Sequence, residues 1–365
     1  MNSTLLLVIV VATALAFDFT NGFHDTANVV ASSISTRAMS PRSAVALASL
    51  LNFAGAFISL KVAATIATGI IDAAKVTETI AFAGLVGAIV WNLITWYYGL
   101  PSSSSHALIG GVVGAMVASG AHGVKWAGVV GKVLVPALIA PVVAFIAAGV
   151  SIVVIYLLVG RRRPGQVTRG FRLGQVVSSA MLALAHGTND AQKTMGVITL
   201  ALVAHGTLSV HHVHVPTWVV ICAASAIALG TYAGGWRIIR TVGTRIIKMD
   251  AAQGFAAQGA GAAVILASSH FGYPLSSTHV ISGGVMGAGA AKRLSAVRWG
   301  LAGNIAFAWA LTLPAAGLFG GVVYWLQGLF GSGIAGPLLI ALLMLGALVS
   351  LLLARRGRVA QVARA

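Results

Sequence analysis

The chain has 365 residues, of which 58% are hydrophobic and only 8% charged. A soluble domain carries about a quarter charged residues, so the composition excludes one and points to an all-α polytopic membrane protein. The net charge of +17 is concentrated in short loops, the positive-inside pattern of a membrane protein, and is not read as a nucleic-acid surface.

About 20 apolar residues cross the hydrocarbon core. On that scale the sequence predicts helices over 5–17, 43–60, 80–98, 126–159, 217–235, 254–271, 299–325 and 337–353. The run 5–17 has no basic flank and no small-residue cleavage site, so it reads as a first helix and not as a secretory signal. Cys222 is the only cysteine, which leaves neither a disulfide framework nor a cysteine metal site.

In chain order, the first helix runs into a polar segment, 17–28, that contains His24, Asp25 and Asn28. A carboxylate at membrane depth is a functional-site hypothesis by default. Gly22 beside it would permit an unwound backbone with carbonyls turned toward a cation. Asn52 and Lys61 flank a helix containing Gly55, Asp72, Lys75 and Glu78 form a mixed-sign loop read as solvated surface, and Asn92 is expected to make an interhelical hydrogen bond. Pro101 then introduces Ser103, Ser104, Ser105 and His106 ahead of a glycine-rich helix. Hydroxyls and backbone N–H groups at the positive end of a helix dipole make a cradle for an oxyanion.

The basic loop 160–172 leads into a second polar motif with Asn189, Asp190 and Lys193. Loop 203–216 holds His205, His211, His212 and His214 with no acidic neighbour in sequence, and is read as no more than an adventitious metal binder. Ser276, Ser277, Thr278 and His279 follow Pro274 before another glycine-rich helix. The lone-histidine reading of His106 and His279, a ring bonded within the core, stays open beside a proton relay.

These parallels are an internal duplication. Pro101 and Pro274, like His106 and His279, are separated by 173 residues, and Val124-Lys125-Trp126 matches Val297-Arg298-Trp299 in the same register. Gly22 and Asp25 match Gly187 and Asp190. With each basic cluster in the cytoplasm, each half crosses five times. Five is odd, so the two repeats are inverted, with the N-terminus outside and the C-terminus cytoplasmic. Re-entrant serine segments would alter the count but not the inversion. The chain divides into a first repeat (1–160), a basic cytoplasmic linker (161–172), a second repeat (173–330), and a final transmembrane helix with a basic tail (331–365).

The motif Gly22-Phe23-His24-Asp25-Thr26-Ala27-Asn28, its partner Gly187-Thr188-Asn189-Asp190 and the two serine segments resemble the PiT family of inorganic phosphate transporters, of the bacterial low-affinity type. The segment Gly230-Thr231 with Gly234-Gly235-Trp236-Arg237 is similar to the family's second half. The resemblance implies a plasma-membrane symporter of phosphate with Na⁺ or H⁺, often a homodimer, with no resident cofactor. In bacterial members the substrate can be a neutral complex of phosphate with a divalent metal. It places the cation-coupling acids on Asp25 and Asp190, the motif amides on Asn28 and Asn189, and phosphate-facing hydroxyls on Ser103, Ser104, Ser105, Ser276, Ser277 and Thr278. Lys193 either neutralises Asp190 or touches substrate.

Two departures bear on coupling. His24 stands where the family has Asn, and Asn52 and Gln258 stand where animal members carry glutamates. Both favour H⁺ over Na⁺, with His24 beside Asp25 as the coupling pair. A sulfate permease on the same scaffold and an anion channel are the alternatives. An embedded hydrolase is disfavoured, since neither Gly-x-Ser-x-Gly nor His-Glu-x-x-His occurs.

Overall fold

The computed structural model describes residues 2–331 and 333–347. Its helices are α1 (Asn2–Ser35), α2 (Pro41–Gly55), α3 (Lys61–Ile70), α4 (Glu78–Tyr98), α5 (Ser104–Ala118), α6 (Trp126–Val159), α7 (Pro164–Ala204), α8 (Thr217–Ala233), α9 (Trp236–Arg245), α10 (Ala251–His270), α11 (Ser277–Lys292), α12 (Trp299–Gly328) and α13 (Ala335–Ala347). No strand occurs among the described residues. The expected last helix, 337–353, is described only to residue 347, and the basic tail lies outside the described residues.

The polar motifs are not unwound. Residues 17–28 lie inside the 34-residue α1, and 186–193 inside the 41-residue α7. The physical reason is in the glycines. A Cβ on Gly22 would sit 2.3 Å from the Ile227 carbonyl oxygen, and one on Gly187 would sit 2.1 Å from that of Asn52. Both glycines let helix backbones touch, as small residues do at membrane helix interfaces. The basic connection is also shorter than expected. Pro164, with its preset φ, opens α7, so Arg169 and Arg172 are helical and only 160–163 link the halves.

The elements α1–α6 and α7–α12 follow the same order, and the halves exchange partners. α1 packs on α8 while α7 packs on α2, and α5 packs on α12 while α11 packs on α6. The contacts match in detail. Gly230 abuts the Phe19 carbonyl as Gly55 abuts that of Leu184, and Gly110 abuts Leu313 as Gly283 abuts Pro141. Each serine-led helix is thereby seated against the last helix of the opposite half.

Among the described residues four helices, α1, α4, α6 and α12, are long and apolar enough to cross a membrane, or five spans if α8 and α9, bent by 59°, are taken as one. This is fewer than the expected count, because α2, α5 and α3 are short and α7 carries polar and basic residues. The outer surface is apolar: Leu138, Ile139, Val142, Ile146 and Val150 of α6 are all exposed, as a lipid-facing helix requires.

Three sequence readings change, those of Glu78, His205 and Asn92, while Asp72 stays at the surface. Glu78 is buried at the start of α4, with its carboxylate 2.7 Å from His205 Nδ1, so that histidine has an acidic neighbour after all. Asp72 accepts from the Ala74 N–H as a local cap. Asn92 makes no interhelical bond: both of its side-chain polar atoms are buried without a partner.

Candidate functional site

The two serine segments meet at the centre of the molecule. Gly99 (φ 67°) and Gly272 (φ 76°) end α4 and α10 in the left-handed conformation that glycine tolerates. The chain then runs extended through the proline to the cap of the next helix. Ser103 Oγ accepts from the His106 N–H (3.1 Å), and Ser276 Oγ from the His279 N–H (3.3 Å). These two hydroxyls serve as N-caps. The hydroxyls that follow them contact side chains of the motif helices α1 and α7.

Ser104 Oγ donates to Asp25 Oδ1 at 3.1 Å. Ser277 Oγ lies 2.9 Å from Asp190 Oδ2 and 3.3 Å from Asp25 Oδ2, so one hydroxyl bridges the two motif acids. Ser105 Oγ lies 3.1 Å from the Leu275 carbonyl oxygen. Lys193 Nζ donates to that same carbonyl (2.7 Å), to Ser105 Oγ (2.5 Å) and to Asp190 Oδ1. On the first-half side, Asn28 Nδ2 donates to Thr278 Oγ1 at 2.9 Å. His24 Nδ1 sits 2.8 Å from Asp25 Oδ1, and its Nε2 sits 3.1 Å from Thr95 Oγ1.

Of the expected residues, His24, Asp25, Asn28, Asp190, Lys193, Ser104, Ser105, Ser277 and Thr278 form one contact network. Ser103 and Ser276 are occupied at their caps. Asn189 turns aside to Ser269 Oγ (2.8 Å) and the Tyr273 carbonyl (3.1 Å), where it fastens α7 to the end of α10. All of these residues are buried, so the site is closed to both sides in this conformation.

His186 was missed in the sequence. Its Nε2 lies 2.7 Å from Asp190 Oδ2, and donor atoms of Asp25, His186 and Asp190 all fall within 4.8 Å of one another. That spacing lets three side chains close around one cation. The signal was present as a histidine four residues before Asp190, which places both on one helix face. Asn52 orients the ring: its Nδ2 is committed to Thr231 Oγ1 (2.8 Å), leaving Oδ1 at 3.2 Å from His186 Nδ1. Gln258, the other amide at an expected glutamate position, bonds Ser33 Oγ (2.9 Å), the Val29 carbonyl (3.0 Å) and Ser178 Oγ (3.1 Å). Gln258 bonds only neutral groups, and Asn52 bonds Thr231 and the imidazole that pairs with Asp190.

His106 and His279 are packed, and they pack on each other. Their rings meet edge to face with centroids 4.7 Å apart, and His279 also stacks on Trp309. His279 Nδ1 lies 3.3 Å from the Ala137 carbonyl oxygen. That carbonyl is left without its helical donor because Pro141, four residues on, has no N–H.

The profile of the phosphate transporter family matches residues 21–320. The chain belongs to the phosphate transporter family. Among relatives, it is 53% identical over 353 residues to the probable low-affinity inorganic phosphate transporter of Mycobacterium leprae, covering 96% of this chain and 85% of that one. It is 41% identical over 325 residues to the protein of the same description from Bacillus subtilis, covering 88% and 97%. Among solved structures, one described as the sodium-dependent phosphate transporter superposes with a TM-score of 0.82 at 24% identity, covering 89% of this chain and 99% of that one, which shows a shared fold. Family membership makes this chain a multi-pass transporter and not an enzyme.

Proposed function

We propose that this phosphate transporter family member imports inorganic phosphate by cation symport, with H⁺ as the driving ion, around the site where α1, α5, α7 and α11 meet. The observation that carries the reading is Ser277 Oγ, which touches Asp25 and Asp190 together at the start of a serine-led helix. Phosphate, bound from Ser104, Ser105, Ser277, Thr278 and the α5 and α11 N–H groups, would sit beside both acids. Phosphate can donate a hydrogen bond to a carboxylate and sulfate cannot, so an acid within reach favours phosphate. Among the described residues no arginine bonds these hydroxyls, and neutral donors release an anion more readily than a buried guanidinium would.

The driving cation is assigned to Asp25 and Asp190 with His24 and His186. The uncharged amides of Asn52 and Gln258 at the two glutamate positions, together with His24 against Asp25, support a proton in preference to sodium. The Asp25–His186–Asp190 cluster also has the donor set for a divalent metal travelling with phosphate as cargo. Exchanged packing between the halves supports two inverted repeats, 1–160 and 173–330, that rock about this site in alternating access. By the placement of basic loops the N-terminus is outside and the C-terminus cytoplasmic.

Radiolabelled phosphate uptake into proteoliposomes, with pH and Na⁺ gradients imposed separately and sulfate as competitor, tests the reading. Uptake driven by the proton gradient and indifferent to sulfate is expected. Uptake driven by Na⁺ alone overturns the ion assignment, and sulfate outcompeting phosphate overturns the substrate.

A further inference from the structure

The transport site makes no use of the basic region where the two halves join. Arg161, Arg162, Arg163, Arg169 and Arg172 lie there, all exposed. The chain has no acidic residue between Glu78 and Asp190, and among the described residues none of these arginines forms an ion pair. Asp250, at the start of the α10 that packs here, is already held by Lys292 Nζ (3.0 Å), Tyr156 Oη (3.3 Å) and the Gln253 N–H (2.9 Å).

Beside these charges the molecule has a groove of about 400 Å³. It opens where α6 ends and α7 begins, between Val159, Arg162 and Gln166, and follows α7 past Gly170 to Phe171 and Phe255. The rings of Phe171 and Phe255 lie 5.5 Å apart. Gly174 lines the same end, two helical turns from Gln166 and so about 12 Å further along α7. The helix continues from there to the motif acids at the centre of the molecule, so the apolar end lies on the membrane side of the polar one.

This polarity is that of a membrane lipid. A guanidinium and an amide donate to a headgroup phosphate, and the apolar walls beyond them suit an acyl chain. Orientation by positive loops needs only diffuse charge, whereas a basic pocket between helices seats a single anionic headgroup. The chain's own C-terminal segment has the wrong charge for it, since residues 354–365 carry four arginines and no acid.

We propose that this groove holds one anionic phospholipid, its phosphate on Arg162 and Gln166 and one acyl chain against Val159, Phe171 and Phe255. α6 closes the first half of the duplication, α7 and α10 belong to the second, and α10 packs on both of the others. The lipid therefore bridges the halves beside the linker 160–163 and stiffens that joint. The proposal goes beyond phosphate transport and does not depend on it.

The experiment titrates the delipidated full-length transporter with phosphatidylglycerol, with phosphatidylcholine of the same chains, and with inorganic phosphate, read by thermal unfolding and by native mass spectrometry. Phosphatidylglycerol is expected to raise the unfolding temperature and to stay bound as one copy, and phosphatidylcholine to do neither. Arg162→Gln should raise the half-effect concentration of phosphatidylglycerol about fivefold. Arg172→Gln, an equal loss of charge on α7 outside the groove, should leave it unchanged. A Cβ on Gly170 would meet nothing within 4 Å, so Gly170→Trp should fill the groove and abolish the bound copy. Equal responses to the two lipids, equal effects of Arg162→Gln and Arg172→Gln, or a Gly170→Trp that retains the lipid would each overturn the site. If Gly170→Trp does not fold, the comparison of the two arginine variants decides. Inorganic phosphate should act alike on wild type and Arg162→Gln, and a phosphate response lost in Arg162→Gln would make the ligand free phosphate and overturn the lipid assignment. Failed phosphate uptake would leave the lipid shifts in place, so the two readings fail separately.

Discussion

Asp190 and Lys193 face each other one helical turn apart with both side chains buried, and breaking such a pair leaves a bare charge in a medium that cannot solvate it. Asp190→Asn should abolish phosphate uptake and lower stability by about 3–5 kcal/mol. Asp190→Asn with Lys193→Met should recover most of the stability and none of the uptake, as a double-mutant cycle in detergent unfolding and proteoliposome flux would show. The hydroxyls divide by a different criterion. Ser103 and Ser276 cap their helices, so Ser103→Ala should cost about 1 kcal/mol of stability with a modest change in uptake. Ser277 bonds two carboxylates. Ser277→Ala loses bonds to charged groups and should weaken apparent phosphate affinity about tenfold or more. Equal effects of Ser103→Ala and Ser277→Ala on phosphate affinity would contradict this division. The adjacent serines look alike in sequence, and which of them caps was legible only once the helix start was fixed.

At the level of elements, the glycines of the motifs are packing residues. Gly187→Ala would place a methyl 2.1 Å from the Asn52 carbonyl oxygen, where backbone meets backbone and neither side can yield. The cost should exceed the roughly 1–3 kcal/mol of ordinary overpacking, seen as loss of a monodisperse peak on size-exclusion chromatography. Gly131→Ala and Gly300→Ala, where a Cβ would meet nothing within 4 Å, should elute as wild type. These helix contacts explain what the sequence made legible and what it did not. The duplication, the helical class, the paired acids and the serine-led helix starts were all readable, because each is a matter of composition or register. The expectation of unwound motifs failed because glycine serves both a bent backbone and a close helix crossing, and only the partner helix decides. His186 and the Glu78–His205 pair were passed over for a related reason. Each meets a side chain distant in sequence, Asp25 for His186 and Glu78 for His205, which spacing along one helix does not encode.

Across the whole molecule, the duplicated halves end in matching fastenings. Lys61 Nζ donates to the His270 carbonyl at 2.9 Å, and Arg237 donates to the Tyr97 carbonyl at 2.5 Å. Tyr97 and His270 stand 173 residues apart, the register of the duplication, and each precedes the glycine turn that leads into a serine segment. Arg237 is held further by the rings of Trp96 and Tyr97. Thr241 Oγ1 donates to the Gly99 carbonyl at 2.9 Å. α3 through Lys61 and α9 through Arg237 and Thr241 thus each tie down the turn that positions one half of the site. If the repeats are inverted, the two ties lie toward opposite sides of the membrane, and weakening one should favour opening on its own side. In a background with Cys222→Ala, Ser102→Cys and Leu275→Cys report the two turns, since both positions are buried here. Arg237→Ala should raise labelling of Ser102→Cys by an impermeant maleimide from one side. Lys61→Ala should raise labelling of Leu275→Cys from the other. The arginine tie has more partners, so its loss should have the larger effect. Both variants opening to the same side would mean that the halves are related in some way other than inversion, and the alternating-access reading would have to be rebuilt around a different axis.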